Sequence, residues 1–294
     1  MAAITTPAAV PLTEPGSRLR WAVADVTLTA PSAPTAPRPT WGWALSDALT
    51  ITWRNLKAMS RTPEVIVFST IQPIIFVLTF RYVFGGAIRV PGELPYVDFL
   101  MPGVFVQTVA FGAMNTGIGL SDDLHKGLIE RFRSLPMARS AVLVGRSLSD
   151  LVRNVGVVLL MIGVGFLVGY RIHTSVVPFV GSILLLLLFS LAFSWIFALI
   201  GLSVPTAESA QAASFPILAV LVFASSAFAP VENMPGVLQA YNDVQPVSVV
   251  VRAMRTLSVG GPTTTPVLHA LLWIVAMAAI FIPLAIARYR RAAA

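Results

Sequence analysis

Ser121-Asp-Asp-Leu-His-Lys-Gly-Leu-Ile-Glu-Arg-Phe-Arg-Ser-Leu-Pro136 is the densest cluster of charge in a chain that is otherwise mostly apolar. Leu124, Leu128, Phe132 and Leu135 recur at spacings of four, four and three, which places them on one face of a helix. Asp123, Lys126, Glu130, Arg131 and Arg133 lie mostly off that face. Ser121 can cap the start, Asp122 and Asp123 fall in the first turn and the arginines in the last, an order that complements the helix dipole. Pro136 ends the helix, because the residue before a proline is pushed out of helical space. Gly127 weakens its middle by about 1 kcal/mol relative to alanine. The spacing therefore predicts an amphipathic helix over 121–136 that forms with help from its neighbours. It reads either as a solvated connector between two membrane spans or as a docking helix for a soluble partner, and the rest of the chain bears on the choice.

Of the 294 residues, 56% are hydrophobic and 11% charged, and the mean hydropathy is +0.81. Globular domains carry about 25% charged residues, so a water-soluble fold would have nowhere to put this much apolar surface. The class is an all-α polytopic membrane protein. The net charge of +7 is read as basic residues marking cytoplasmic loops rather than as a nucleic-acid surface; no nucleic-acid partner is expected. The absence of cysteine excludes disulfides, thiolate chemistry and Cys-based metal sites. His125, His173 and His269 are too far apart in sequence to suggest a metal site. Met1 to Thr40 lacks a basic start followed by an apolar core and is not read as a signal peptide.

Residues 1–40 are rich in Pro and Ala, with no recurring apolar face, and read as a disordered tail. From Trp41 the character changes. Leu45, Leu49, Trp53 and Leu56 fall on one helical face, Arg54, Lys57 and Arg61 on another. That pattern suits a helix over 41–62 lying in the membrane interface, apolar side in lipid and basic side toward anionic headgroups. A soluble amphipathic helix packed on a partner has the same pattern. Within 63–294, six apolar spans follow, near 64–84, 99–120, 148–170, 177–204, 210–229 and 267–287, each long enough to cross a hydrocarbon core of ~30 Å. Asp150 and Arg153 stand at the start of the third, whose hydrophobic part is expected from about Val155.

An even number of spans puts both termini on one side. Lys and Arg number six in residues 1–62, five in 122–147 and three in the C-terminal tail, against four (Arg89, Arg171, Arg252 and Arg255) in the opposite loops. The positive-inside rule therefore makes both termini and the 122–147 loop cytoplasmic. The connection over 230–265 is long and only moderately polar. Val247, Val250, Val251, Met254 and Leu257 make a helical face within it. It reads as two short external helices that dip into the outer leaflet or cover the outer mouth, which requires protein or a wet cavity beside them.

No catalytic constellation is present: no phosphate-cradling G-x-x-x-x-G-K-[ST], no G-x-S-x-G and no H-E-x-x-H. The chain is not read as an enzyme. Its mid-span polar residues are read as neutral: Gln72, Gln107, Thr108, Asn115, Thr116, Ser190, Ser194, Ser225 and Ser226. Each can simply make an interhelical hydrogen bond of roughly 0.6–2 kcal/mol. Together Gln72, Gln107, Thr108, Asn115, Ser194 and Ser225 are candidates to line a path for a large, mostly apolar substrate. Ion-coupled carriers usually bury acids or bases in their spans, and the expectation of no buried charge argues against that class. A membrane body with no engine points to an external energy source.

Three stretches resemble the permease subunits of ABC-2-type transporters, in particular the daunorubicin-resistance (Drr) membrane subunits of actinobacteria. They are Gly127-Leu-Ile-Glu-Arg-Phe-Arg-Ser-Leu-Pro-Met-Ala-Arg-Ser140 between spans two and three, the interfacial helix before span one, and Met234-Pro with Gln245-Pro-Val-Ser and Arg252-Ala-Met-Arg before span six. The resemblance covers about 41–290. It implies the six-span transmembrane domain of an ABC-2 (type V) exporter in a bacterial plasma membrane. Two permeases, identical or related, would pair over two ATP-binding cassette subunits. ATP and magnesium would sit on those partners, with no cofactor on this chain. It also implies that Leu124, Lys126, Leu128, Glu130, Arg131, Phe132 and Arg133 couple to the ATPase, with Trp53, Arg54, Lys57 and Arg61 of the interfacial helix moving beside them in membrane lipid. Substrates in the family are exported drugs, lipids or polysaccharides. The lack of an added carbohydrate-binding domain favours amphipathic drugs or lipids. A polysaccharide-exporter permease, and a membrane scaffold or assembly factor without transport of its own, stay open as alternatives.

Overall fold

The computed structural model describes residues 50, 52–54, 57, 63–88, 90, 94–126 and 139–292. The expected N-terminal tail over 1–40, Arg61, and Leu128, Glu130, Arg131, Phe132 and Arg133 lie outside the described residues. Every regular element among the described residues is helical. In chain order these are α1 (Pro63–Leu78) with a π-helical continuation Thr79–Phe84, α2 (Tyr96–His125), α3 (Arg139–Leu167), α4 (Val176–Gly201), α5 (Ala207–Phe223), a 3-10 turn Val231–Asn233, α6 (Gly236–Val244), α7 (Pro246–Ser258) and α8 (Thr264–Ala292). Four of them, α2, α3, α4 and α8, are long and apolar enough to cross a membrane; α1 with its π-helical end and α5 are shorter apolar helices.

The centre is α2. It packs most extensively on α4 and α5, and also on α3, α7 and α1. In its most apolar stretch 83% of the residues are buried, against 22% in α8, yet α2 is the least hydropathic of the four long helices. The inversion follows from the solvent. Lipid is as apolar as leucine, so burial in the bundle does not demand the most hydrocarbon, and the central helix carries the small and polar residues that pack and hydrogen-bond. The α2–α4 crossing shows the first kind: a Cβ on Gly117 would lie 2.2 Å from the Phe197 carbonyl oxygen, and one on Gly201 would lie 2.1 Å from that of Gly117. The two backbones touch there because both residues are glycine.

Residues Ser121 to His125 form the last turn of α2, so the helix expected to begin at Ser121 does not begin there. Nothing between Leu120 and Ser121 breaks the α-helical repeat. Leu120 and Leu124, four apart, pack on the same small cluster with Trp195, Leu202 and Tyr289. The Ser121 side chain is buried, and its hydroxyl has no hydrogen-bond partner among the described residues. Asp122 and Asp123 therefore stand at the negative end of a helix dipole, the unfavourable end for acids. They are balanced by charge pairs, Asp122 with Lys126 and Asp123 with Arg146.

Helix α5 ends at Phe223, six residues before the expected end of that span. Its start is capped by Thr206, whose hydroxyl accepts from Ser209 N at 3.1 Å, with Glu208 in the first turn. After Phe223 the chain turns: the Ser225 hydroxyl donates to Val222 O and accepts from Ala227 N at 3.1 Å. Phe228 then stacks on Phe80 of the π-helical segment with ring centroids 4.6 Å apart. The two helices expected in 230–265 are α6 and α7. Val247, Val250, Val251 and Met254 of the expected apolar face are at most 1% exposed, and Leu257 is partly buried. Val249 and Ala253 are buried as well, so α7 is enclosed by protein on more than one face.

Candidate functional site

Three clusters of polar side chains stand out, one at the Asp123 end of α2, one at its Asp98 end, and one between them.

At the Asp123 end, Arg146 of α3 pairs with Asp123 and the Arg54 charge reaches the same carboxylate. Thr52 donates to Gly145 O at 3.0 Å, which ties the helical residues 52–54 to the beginning of α3. Trp53, Arg54 and Lys57 are exposed, Trp53 at 70%. Lys126 pairs with Asp122 at 2.7 Å on the surface. Leu124, read from sequence as part of a docking face, is packed against the bundle's own cluster.

At the Asp98 end the expectation of an interior without charge is overturned. The Asp98 side chain is 1% exposed. Its Oδ1 accepts from Arg171 N at 2.8 Å and its Oδ2 lies 2.7 Å from His173 Nε2. His173 N in turn donates to Ser258 O, and the Thr174 hydroxyl donates to Leu257 O at 2.7 Å. The α3–α4 turn is thus fastened between the start of α2 and the end of α7. Arg255 of α7 donates from Nε to Phe99 O at 2.9 Å and from Nη2 to Ser226 O and Ala227 O. Its guanidinium also lies 3.5 Å from the centre of the Phe99 ring, a cation–π contact. Burial pushes that guanidinium down to about 9, which leaves it charged at neutral pH. Charge is admitted here because Asp98 and Arg255 each meet several partners.

Between the two ends, α1, α2 and α3 enclose a cavity of about 90 Å³. It is lined by Gln72, Gln107, Thr108 and Asn115, four of the six residues expected along a path, together with Arg153 and Asn154. The other two are elsewhere. Ser194 donates to Leu191 O in its own helix, and Ser225 makes the turn after α5. The volume holds roughly three waters at ~30 Å³ each and is well below the ~300–1,000 Å³ that encloses a drug-sized ligand. Gln107 is 2% exposed, and its Oε1 has no partner among the described residues. Thr108 donates to Val104 O at 2.7 Å, leaving its lone pairs to the cavity. Asn154 donates to Ser190 Oγ at 2.6 Å.

Asp150 and Arg153, expected to precede the hydrophobic part of their span, are inside it. Thr116 donates to Asp150 Oδ2 at 2.6 Å; Arg153 Nη2 donates to Gly112 O at 2.9 Å and lies 3.3 Å from Asp150 Oδ1. The signal was available. Ser147, Asp150 and Asn154 fall at i, i+3 and i+7 and are buried, while Val144, Val152 and Leu159 are exposed. The first half of α3 is an amphipathic helix with its polar face turned inward, as a lipid solvent dictates.

Residues 47–258 match the model of the ABC-2 type transporter family. The daunorubicin resistance ABC transporter permease protein DrrB1 of Streptomyces coeruleorubidus is 36% identical over 253 residues, covering 86% of this chain and 89% of the relative. The probable doxorubicin resistance ABC transporter permease protein DrrC of Mycobacterium tuberculosis is 28% identical over 257 residues, covering 84% and 90%. A putative transport permease, ycf38, of Cyanophora paradoxa is 25% identical over 205 residues, covering 68% and 69%.

Proposed function

The chain belongs to the ABC-2 type transporter family, and from that premise we propose that it is the permease of an ATP-driven exporter that moves an amphipathic drug or lipid outward across a bacterial plasma membrane. The observation that carries this reading is the 36% identity, over most of both chains, to a permease named for daunorubicin resistance. Membership implies an ATP-binding partner. In this proposal two such subunits dock beneath a pair of permeases, this chain with a copy of itself or with a related one.

The proposed topology has six spans, α1 to α5 and α8, with both termini and the Asp123 end in the cytoplasm. It is supported by the distribution of basic residues. Helices α6 and α7 then cover the outer mouth, and the Arg255 and Asp98 clusters hold them there. ATP-driven movement enters through residues 124–133 and through Trp53, Arg54 and Lys57. The Asp123–Arg146 pair and the Thr52–Gly145 bond link both to the start of α3, and α3 leads to the cavity. Gln72, Gln107, Thr108 and Asn115 form the polar part of the path.

The test is co-purification of the chain with the product of the neighbouring ATPase gene, followed by ATP-dependent efflux in vesicles. Efflux that survives loss of the ATPase's phosphate-binding lysine would overturn the reading. Because the chain lacks cysteine, introduced thiols report topology. Ser134→Cys and Ala292→Cys should label only from the cytoplasm, and Gly92→Cys and Thr264→Cys only from outside.

A further inference from the structure

The cavity between α1, α2 and α3 shows two unfulfilled hydrogen-bonding needs of opposite sign. Gln107 lines the cavity, and its buried Oε1 lacks a donor among the described residues. Arg153 supplies donors from the other side. Its Nη2 is used by Gly112 O and lies near Asp150 Oδ1. Arg153 lines the cavity with its side chain 18% exposed, so its remaining guanidinium N–H groups are open to whatever fills that space. A buried polar group left unmatched costs about 1–3 kcal/mol, and an ionisable group inside a membrane span marks function by default.

The charge balance decides what can fill the space. Asp150 already sits 3.3 Å from Arg153, and Thr116 holds Asp150 in place, so the pair carries no net charge. A fully ionised anion could accept from Arg153 but has no hydrogen for Gln107. A cation could donate to Gln107 but would face the guanidinium. Either would also bring an unbalanced charge into a low-dielectric site. A neutral hydroxyl, a water's or a ligand's in its place, satisfies both ends, accepting from Arg153 and donating to Gln107, and adds no charge.

Resting on the permease reading above, we infer that this cavity is a subsite for an uncharged, hydroxyl-bearing head group of an amphipathic substrate, gripped between Gln107 and Arg153. The cavity of about 90 Å³ takes only a small part of such a molecule, with its apolar remainder lying outside in the membrane. Asn115 and Gln72, both exposed, stand at the opening toward that remainder.

The test measures binding by the full chain in lipid nanodiscs without any ATPase, so it can fail independently of the transport reading. Three probes share an eight-carbon tail: octyl glucoside, octyl sulfate and octylammonium, compared at equal membrane-bound concentration below micelle formation. The glucoside should raise the thermal unfolding midpoint, and the two ions should do so less. Gln107→Leu should bind the glucoside at least tenfold more weakly. Without probe it should unfold at or above the wild-type midpoint, because it removes an unmatched acceptor while keeping the side chain's bulk. Four results would overturn the inference: an ion that stabilises as well as the glucoside, no shift with any probe, a wild-type response in Gln107→Leu, or a sharply lowered midpoint in that variant.

Discussion

Arg255 and Arg153 are both drawn into the apolar body of the protein, and they are treated in opposite ways. Arg255 is the better matched: three carbonyl oxygens accept from its Nε and Nη2 and the Phe99 ring lies against its face, although it too borders a cavity. Arg153 makes one carbonyl bond and one longer approach to a carboxylate, and the rest of its guanidinium looks into a cavity. A matched charge is a fastener, because nothing it touches can be exchanged without loss. An under-matched charge retains capacity to bind something else. The difference separates the end of the bundle where α7 is fastened from the interior cavity proposed as a substrate subsite.

The sharpest way to break this contrast is Arg255→Ala. It leaves Phe99 O, Ser226 O and Ala227 O without their donor, each such loss costing about 1–3 kcal/mol when the site stays dry. The expected outcome is a loss of at least about 3 kcal/mol, seen as little monodisperse protein and a much lower unfolding midpoint. A well-folded Arg255→Ala protein would show that α7 is held by its valine face alone.

Arg153→Lys should behave differently. Lysine keeps a positive charge beside Asp150 and Thr116 still holds that carboxylate, so the stability loss should be about 1–2 kcal/mol, mainly the bond to Gly112 O. Efflux per folded molecule should nevertheless fall tenfold or more. Efflux that declines only in proportion to folded protein would place Arg153 beside Arg255 as a fastener and remove the cavity from the path.

Arg146→Ala comes third. Its side chain and that of its partner Asp123 are 21% and 29% exposed, and an ion pair with that much solvent access contributes about 1 kcal/mol or less. Yet Arg146 stands where the Asp123 turn and the helical residues 52–54 meet, so ATPase stimulation by substrate is the more sensitive measurement. A coupling defect larger than the stability defect is expected.

How legible this arrangement was depends on which solvent each residue faces. The long apolar runs gave away the helices, since little else can be built from Val176–Gly201 or Thr264–Ala292 in lipid. The apolar face of α7 was equally plain, because Val247, Val250, Val251 and Met254 repeat with helical period. The end of α2 was not. Charge at Asp122 and Asp123 looked like the start of a new helix, and only Leu120 and Leu124 packing on the Trp195 cluster shows that the old one continues. Asp150 and Arg153 read as flanking charges as long as charge is equated with water. The inward polar face of α3 was written in Ser147, Asp150 and Asn154, but it had to be read with the hydrophobic rule reversed. Four of the path candidates converge because Gln72, Gln107, Thr108 and Asn115 lie on facing helices. No sequence spacing distinguishes them from Ser194 and Ser225, whose hydroxyls bond to nearby backbone carbonyls.

The smallest effect is expected at Lys126, and it tests the lower end of the same ordering. Its amine pairs with Asp122 one turn earlier, with the two side chains 64% and 42% exposed. Water and salt compete for both charges, and holding a long lysine side chain in one geometry costs entropy that offsets much of the attraction. The pair's local use is to quiet an acid at the wrong end of the α2 dipole, which several other arrangements of solvent can also do. Lys126→Ala should therefore leave the unfolding midpoint of the purified chain unchanged within error, at low and at high salt. If 124–133 is the segment that meets the ATPase, the same variant should weaken ATPase association at low salt, and the defect should shrink as salt screens the wild-type interaction. A shifted midpoint would mean that the charge at the end of α2 is structural, like that of Arg255. An unchanged midpoint with unchanged, salt-insensitive ATPase binding would remove Lys126 from the docking surface.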